Sequence, residues 1–169
     1  MEKLLPITAD MIAPPNKRFA NFVIDSIIFN LLALGISALG NYLYDVYGIE
    51  ALLVGPPAIG NYKYSLLQTL VGIVYYGLFE SLTQRTPGKY ITSTKVVLRD
   101  GTKPADGTIL LRTLCRQIPF EILSFLGRFG IGWHDTFSKT LVVDSNKYNL
   151  AVNKQAFNDI GNNPDEPVV

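Results

Sequence analysis

The sequence predicts an α-helical integral membrane protein. It would have two transmembrane helices, a third basic segment that is amphipathic and re-entrant or else a tilted span, and a small cytoplasmic β element. Three observations carry this. Residues 26–44 run for nineteen positions without a formal charge, against the roughly 20 apolar residues that take a helix across about 30 Å of hydrocarbon. A second block, 64–84, holds one formal charge, Glu80. Of fifteen Lys and Arg, only Lys63 lies in the connection 45–63, whereas 85–103 alone carries Arg85, Lys89, Lys95, Arg99 and Lys103.

Composition narrows the class. A chain of 169 residues is one domain by length, read as 1–144 followed by a polar tail, 145–169. The formal net charge of +1 argues against nucleic-acid binding, which shows a basic face or a pI above about 9. A hydrophobic content of 48% and a mean hydropathy of +0.21 are high for a soluble chain, and the concentration of apolar residues into long uncharged blocks decides the matter. A lone Cys115 excludes an intramolecular disulfide and a multi-cysteine metal site. It reads as a small buried filler. One histidine rules out a histidine-cluster metal centre, and no cofactor or metal is expected. Glu2 and Asp10 dilute the basic N-terminal region, and Pro14 with Pro15 interrupts it. Helix one is therefore expected as a retained anchor rather than a signal peptide.

Helix one is predicted over 17–43, after the helix-start signal of Pro14, Pro15 and Asn16. Gly35, Ser37, Ala38 and Gly40 give it surfaces that another helix can approach closely. Asn30 and Asn41 need partners within the protein. Arg18 and Asp25 are seven residues apart, two helical turns, so they project from nearly the same face. The turn-rich connection 45–63 is flanked by Tyr42, Tyr44, Tyr47, Tyr62 and Tyr64, as an interfacial aromatic belt would be. Helix two is predicted over 64–84, with Glu80 several ångströms inside the boundary that Arg85 marks. If the two helices are antiparallel neighbours, Asp25 and Glu80 lie near one membrane face. The positive-inside rule puts the N-terminus and the basic loop 85–108 in the cytoplasm.

Residues 90–99 read as a strand, rich in Ile, Thr and Val, ended by Asp100 and Gly101. Residues 140–144 are its natural partner, which requires both to lie on one side of the membrane. The segment 107–130 is broken by Arg112, Arg116, Glu121 and Arg128. We expect 107–118 to be an interfacial helix with Arg112 and Arg116 toward headgroups and 119–130 to dip in and return. From Ser145 onward the polar tail is expected to carry little structure, with disorder after about Asn158.

The carboxylates admit two readings. Asp25, with Asn30 and Glu80, can form an ion or proton site of oxygen ligands suited to hard cations. Alternatively, Arg18 and Asp25 form a structural ion pair, and Glu80 is protonated or bound to Arg112 or Arg116. Thr86, Pro87, Gly88 and Lys89 resemble part of a phosphate loop but lack the full glycine-lysine pattern and a preceding strand. They read better as a tight turn that leaves Lys89 near anionic headgroups. His134 beside Asp135 can act as a general base pair, yet no nucleophile has a recognisable setting. Asp135 reads as a turn cap or a partner of Arg18, and no enzyme is expected.

Three blocks stand together: Arg18, Phe19, Ala20 and Asp25; Thr86 to Lys89 followed by Val96, Val97, Asp100 and Gly101; and His134 and Asp135 followed by Thr140, Val142 and Val143. This pattern resembles the RDD family of small bacterial membrane proteins, named for an Arg and two Asp, with Arg18, Asp25 and Asp135 on the naming positions. One departure is Phe137, Ser138 and Lys139, where members often carry a small Ala-Gly-like step. The resemblance implies a multi-pass protein of the bacterial inner membrane, and transport, including cation/proton exchange, has been suggested for some members. The leading expectation is a transporter-like protein that moves cations or protons through Asp25 and Glu80. The alternative is a non-transporting adaptor or assembly subunit whose Arg/Asp cluster is structural. Its expected partners are anionic lipid and either a further copy of itself or another membrane protein, because so few helices cannot enclose a water-filled path alone.

Overall fold

The computed structural model describes residues 5–49, 53–55, 57, 60–117 and 132–161. The expected re-entrant stretch 119–130, with Glu121 and Arg128, lies outside the described residues. Two long helices rise from a small peripheral layer. Helix α1, Pro15–Tyr47, begins with proline at its first position, where the missing N–H costs nothing. It ends at Gly48, whose φ of +70° is the left-handed cap that glycine supplies. Its 33 residues span about 50 Å at 1.5 Å each. It therefore outreaches about 30 Å of hydrocarbon by several turns. Helix α2, Tyr62–Thr83, is capped by Asn61, whose side chain accepts from the Tyr64 N–H.

Both helices are long and apolar enough to cross a membrane, and only 17% and 22% of their most apolar windows are buried. Leu31, Ile36 and Leu39 on α1 and Leu66, Leu70, Val74 and Leu82 on α2 face outward. The core helix of a water-soluble protein would hide such residues, whereas a lipid-facing helix displays them. What α1 buries is polar: Arg18, Asn21 and Asp25, at the i, i+3, i+7 spacing of one face. At its far end, Ser37 donates to the Gly55 carbonyl, and the Asn41 side chain accepts from the N–H groups of Val54 and Gly55.

The remaining elements form the peripheral layer: α3 (Pro87–Ile91), β1 (Thr94–Leu98), α4 (Asp106–Cys115), α5 (Trp133–Phe137), β2 (Thr140–Asp144) and α6 (Ser145–Gly161). Strands β1 and β2 pair antiparallel, with Val96 opposite Val142 and Thr94 opposite Asp144. Val96, Val97, Val142 and Val143 are buried. The N-terminal segment lies alongside, where the Ala13 N–H donates to the Val142 carbonyl and Ile12 bridges Val143.

The layer departs from expectation in three places. The strand expected from residue 90 starts at Thr94, because Thr86 caps a helical turn over Pro87–Ile91. That turn also replaces the tight turn expected at Thr86–Lys89. The polar segment after Asp144 forms helix α6. Asp144 accepts from the N–H groups of Asn146 and Lys147 at 3.0 and 3.3 Å, a helix cap that its sequence carries, and Tyr148 donates to the Gly101 carbonyl at 2.7 Å. Residues 162–169 lie outside the described residues.

Candidate functional site: a buried charge cluster

Where α1 and α2 meet the peripheral layer, seven ionisable side chains and His134 are packed together. Arg18, Asp25, Glu80, Lys89, Arg112, His134 and Asp135 are each at most 3% exposed, and the Arg116 side chain is 12% exposed. Burial of this kind is sustained only where charges are paired and hydrogen-bonded.

Glu80 receives three cations: Lys89 Nζ at 2.9 Å, Arg112 Nε at 2.9 Å and Arg116 Nη2 at 3.0 Å. Asp135 is gripped from two sides, with Arg18 Nη2 on Oδ2 and Arg112 Nη1 on Oδ1. Arg112 therefore bridges the two carboxylates, and its Nη1 also donates to Thr140 Oγ1 at 2.6 Å. Asp25 is held by neutral donors. Tyr75 Oη (2.9 Å) and the Gly88 N–H (2.8 Å) bond its Oδ1, and the Thr86 hydroxyl bonds its Oδ2. The layout follows from element geometry: Arg112 lies on α4 and Arg116 caps its C-terminal end one turn later, and the cap at Thr86 turns Gly88 and Lys89 inward.

The sequence-predicted site residues are thus brought together, Glu80 with Arg112 and Arg116 among the pairings expected. Of the two partners expected for Arg18, it meets Asp135 and not Asp25, which goes instead to the Tyr75, Thr86 and Gly88 donors. Asn30 is not among these contacts. It donates to the Ser26 carbonyl at 2.7 Å and accepts from Gln68 Nε2 at 2.5 Å, farther along α1.

Of the two roles expected for Arg112 and Arg116, headgroup contact or pairing with Glu80, the structure has the second, and Lys89 too turns from the headgroups to Glu80. Lys89 and Arg112 are buried, and all three turn inward because Glu80 and Asp135 supply the charge they need. Arg116 also lies over the Tyr76 ring, 4.2 Å from its centroid. On α4 it is Leu110, Leu111 and Leu114 that face outward. Tyr75 and Asn21 carry no charge and gave no sequence signal as site residues, and Thr86 was singled out only as part of a turn. Asn21 donates to Thr94 at 2.9 Å and accepts from Thr92.

Burial pushes the Lys89 ammonium down to about 8, against the pull of Glu80. It pushes His134 well below its ordinary range, and the surrounding Arg116, Arg112, Lys89 and Arg18 add to that effect. His134 Nε2 lies 3.5 Å from Asp135 Oδ1. Among the described residues, no group of three or more His, Cys, Asp or Glu is placed to hold a metal ion. Two cavities adjoin the cluster. One, of about 20 Å³, lies among Arg18, Asn21, Asp25, Lys89, Arg112 and His134. The other, of about 430 Å³, opens between α1 and α2 and is lined by Ser26, Asn30, Gln68, Thr69, Arg116 and Gln117.

Two lipid-facing helices tied by a buried Arg/Asp/Glu knot to a peripheral layer define a small helical protein of membrane type. The RDD family matches residues 12–140, and the chain belongs to that family. The departure at Phe137–Lys139 has a conformational counterpart, since Lys139 takes φ +53°, the left-handed region that glycine enters without strain. Comparison with curated proteins and with solved structures returned no match.

Proposed function

We propose that this protein is a membrane adaptor or assembly subunit in which the Arg/Asp/Glu cluster is a fixed clamp rather than an ion path. One observation carries the reading: the carboxylates are already occupied. Glu80 meets three cations, Asp25 meets three hydrogen-bond donors, and the cavity beside them has room for about one water (about 20 Å³). A hard cation would need several free oxygens at 2.3–2.6 Å, in competition with four resident positive charges. The clamp fixes the β1–β2–α6 layer to the two spanning helices and presents a groove of about 680 Å³ between α6 and β1, lined by Lys95, Lys103, Tyr148 and Asn153.

In this reading the protein is a multi-pass component of the bacterial cytoplasmic membrane. The N-terminus and the basic stretch 85–108 face the cytoplasm, as the distribution of Lys and Arg favours. It works in company, either with another membrane protein or with further copies of itself. A photo-crosslinker placed at Asn153 in native membranes is expected to give one defined protein adduct, and the same group at lipid-facing Leu31 none. Identical lipid-only labelling at both positions would contradict the adaptor reading.

A second reading, transport of cations or protons by way of Asp25, is favoured by the larger cavity. Its polar wall of Ser26, Asn30, Gln68, Thr69 and Gln117 sits between helices that are otherwise apolar outside. That space reaches the charge cluster at Arg116, and polar spaces between spanning helices are the usual setting of a proton or ion relay.

A further inference from the structure

Resting on the adaptor reading of this surface, we infer that the groove between β1 and α6 receives an acidic, extended segment of the partner protein, whose carboxylates meet Lys95 and Lys103. The groove is pre-formed, because both of its sides are tied to one turn. The Leu5 N–H donates to the Asp100 carbonyl at 3.1 Å, and Tyr148 Oη donates to the Gly101 carbonyl at 2.7 Å. Its volume of about 680 Å³ falls within the range of about 300–1,000 Å³ in which ligand sites occur. A site already in place costs little ordering when a partner arrives.

Charge sets the kind of occupant. Lys95 and Lys103 line the groove, and among the described residues no Asp or Glu does. Lys103 is exposed and Lys95 is half-buried. Lys95 Nζ lies 3.6 Å from the Tyr148 ring centroid and 3.5 Å from Asn149 Oδ1, contacts that hold the ammonium but bring no carboxylate to it. Burial, with nearby Arg85 adding to it, pushes that ammonium down to about 8. Two flanking carboxylates are engaged elsewhere. Asp100 accepts from the Thr102 N–H and hydroxyl at 3.0 and 2.6 Å, and Asp144 accepts from Lys17 at 2.7 Å. A half-desolvated ammonium gains from a charge-assisted hydrogen bond to an incoming carboxylate.

The rest of the wall favours a peptide over a lipid headgroup. Gln84, Asn149 and Asn153 are carboxamides, which both donate and accept, as the N–H and C=O groups of an extended backbone require. A headgroup phosphate only accepts. Leu5, Val97, Val152 and Ala156 add apolar contact for an aliphatic side chain between the charges.

The test is selection from a random linear peptide library on the full chain held in phosphatidylcholine nanodiscs. Recovered peptides are expected to be rich in Asp and Glu around an aliphatic residue, and a synthetic copy of the most enriched one should bind saturably. Lys95→Gln combined with Lys103→Gln should weaken that binding by about tenfold or more. Lys154→Gln, on the same helix but outside the groove wall, should leave it unchanged. Lys95 also holds Tyr148, so if the double variant fails to fold, Lys103→Glu alone decides and should weaken binding as well. Recovered peptides with no acidic preference, or acidic peptides that bind the folded variants as tightly as the wild type, would overturn the inference. So would capture of phosphatidylglycerol vesicles, dependent on Lys95 and Lys103, in place of any peptide. A defined protein adduct at Asn153 without acidic-peptide binding would remove this inference and leave the adaptor reading standing, whereas lipid-only adducts at Asn153 and Leu31 remove the adaptor reading itself.

Discussion

Glu80 is the side chain on which the cluster balances. Replacing it with glutamine leaves Lys89, Arg112 and Arg116 facing one another without their shared carboxylate. Removing one partner of a buried ion pair costs about 3–5 kcal/mol, and a loss of that order is expected for Glu80→Gln in thermal or denaturant unfolding in detergent. Arg18 and Asp135 behave differently when removed together. The double neutralisation Arg18→Gln with Asp135→Asn keeps the charge balance, so its loss should fall short of the sum of the single losses by about 0.5–3 kcal/mol. His134 gives the cluster a pH signature. The unfolded chain takes up a proton near pH 6.5, whereas the folded chain holds the imidazole neutral to well below that value. The unfolded state therefore gains protons first as pH falls, and stability drops below about pH 6.5, with a slope of up to about 1.4 kcal/mol per unit. His134→Gln should flatten that part of the profile, as unfolding measured from pH 7 to 5 would reveal.

How much of the site the sequence discloses is also clearest at this scale. Arg18, Asp25 and Glu80 stand out because a charge in or beside an apolar run must be answered by protein. Tyr75 and Asn21 do not stand out, since a hydroxyl or amide in a helix costs little to leave in water. Helical spacing placed Arg18 and Asp25 on one face correctly, but a shared face is not a contact. Each found a closer partner on an element distant in sequence, Asp135 for Arg18 and Thr86 with Gly88 for Asp25.

At the level of elements, α3 seals the cluster from the side of α1, and Gly88 makes the approach possible. A Cβ at this position would lie 2.8 Å from the Asn21 carbonyl oxygen and 2.9 Å from Asp25 Oδ1, closer than real contacts allow. Gly88→Ala should therefore wedge α3 away from α1 and cost about 1–3 kcal/mol. Gly35→Ala on α1, where nothing lies within 4 Å, should be tolerated. Measuring Tm for the two variants side by side checks this. The long helices were legible because length and hydropathy speak locally, and the strands because β-branched residues cluster in them. Helix α4 was legible as amphipathic but was read with the wrong face inward: basic residues beside a membrane ordinarily seek headgroups, and only the carboxylates of α2 and α5 reverse that preference. Helix α6 rests on one cap, Asp144, and on contacts of Tyr148 and Lys147 with distant backbone, which local composition does not reveal.

For the whole molecule, membrane span and peripheral layer are joined through one compact set of charges, so the RDD signature describes a joint. Arg18, Asp25 and Asp135 lie on α1 and α5 and draw in α2, α3, α4 and β2 through Tyr75, Glu80, Thr86, Gly88, Arg112 and Thr140. Such a joint is suited to holding a surface still, and a moving ion would have to break it. Proton and sodium flux in liposomes containing only this purified protein, with Asp25→Asn alongside, tests that view most directly. Neither protein is expected to exceed the leak of protein-free liposomes, although the wild type is folded. Flux by the wild type that disappears in a folded Asp25→Asn variant would contradict it and make Asp25 a working ion or proton site.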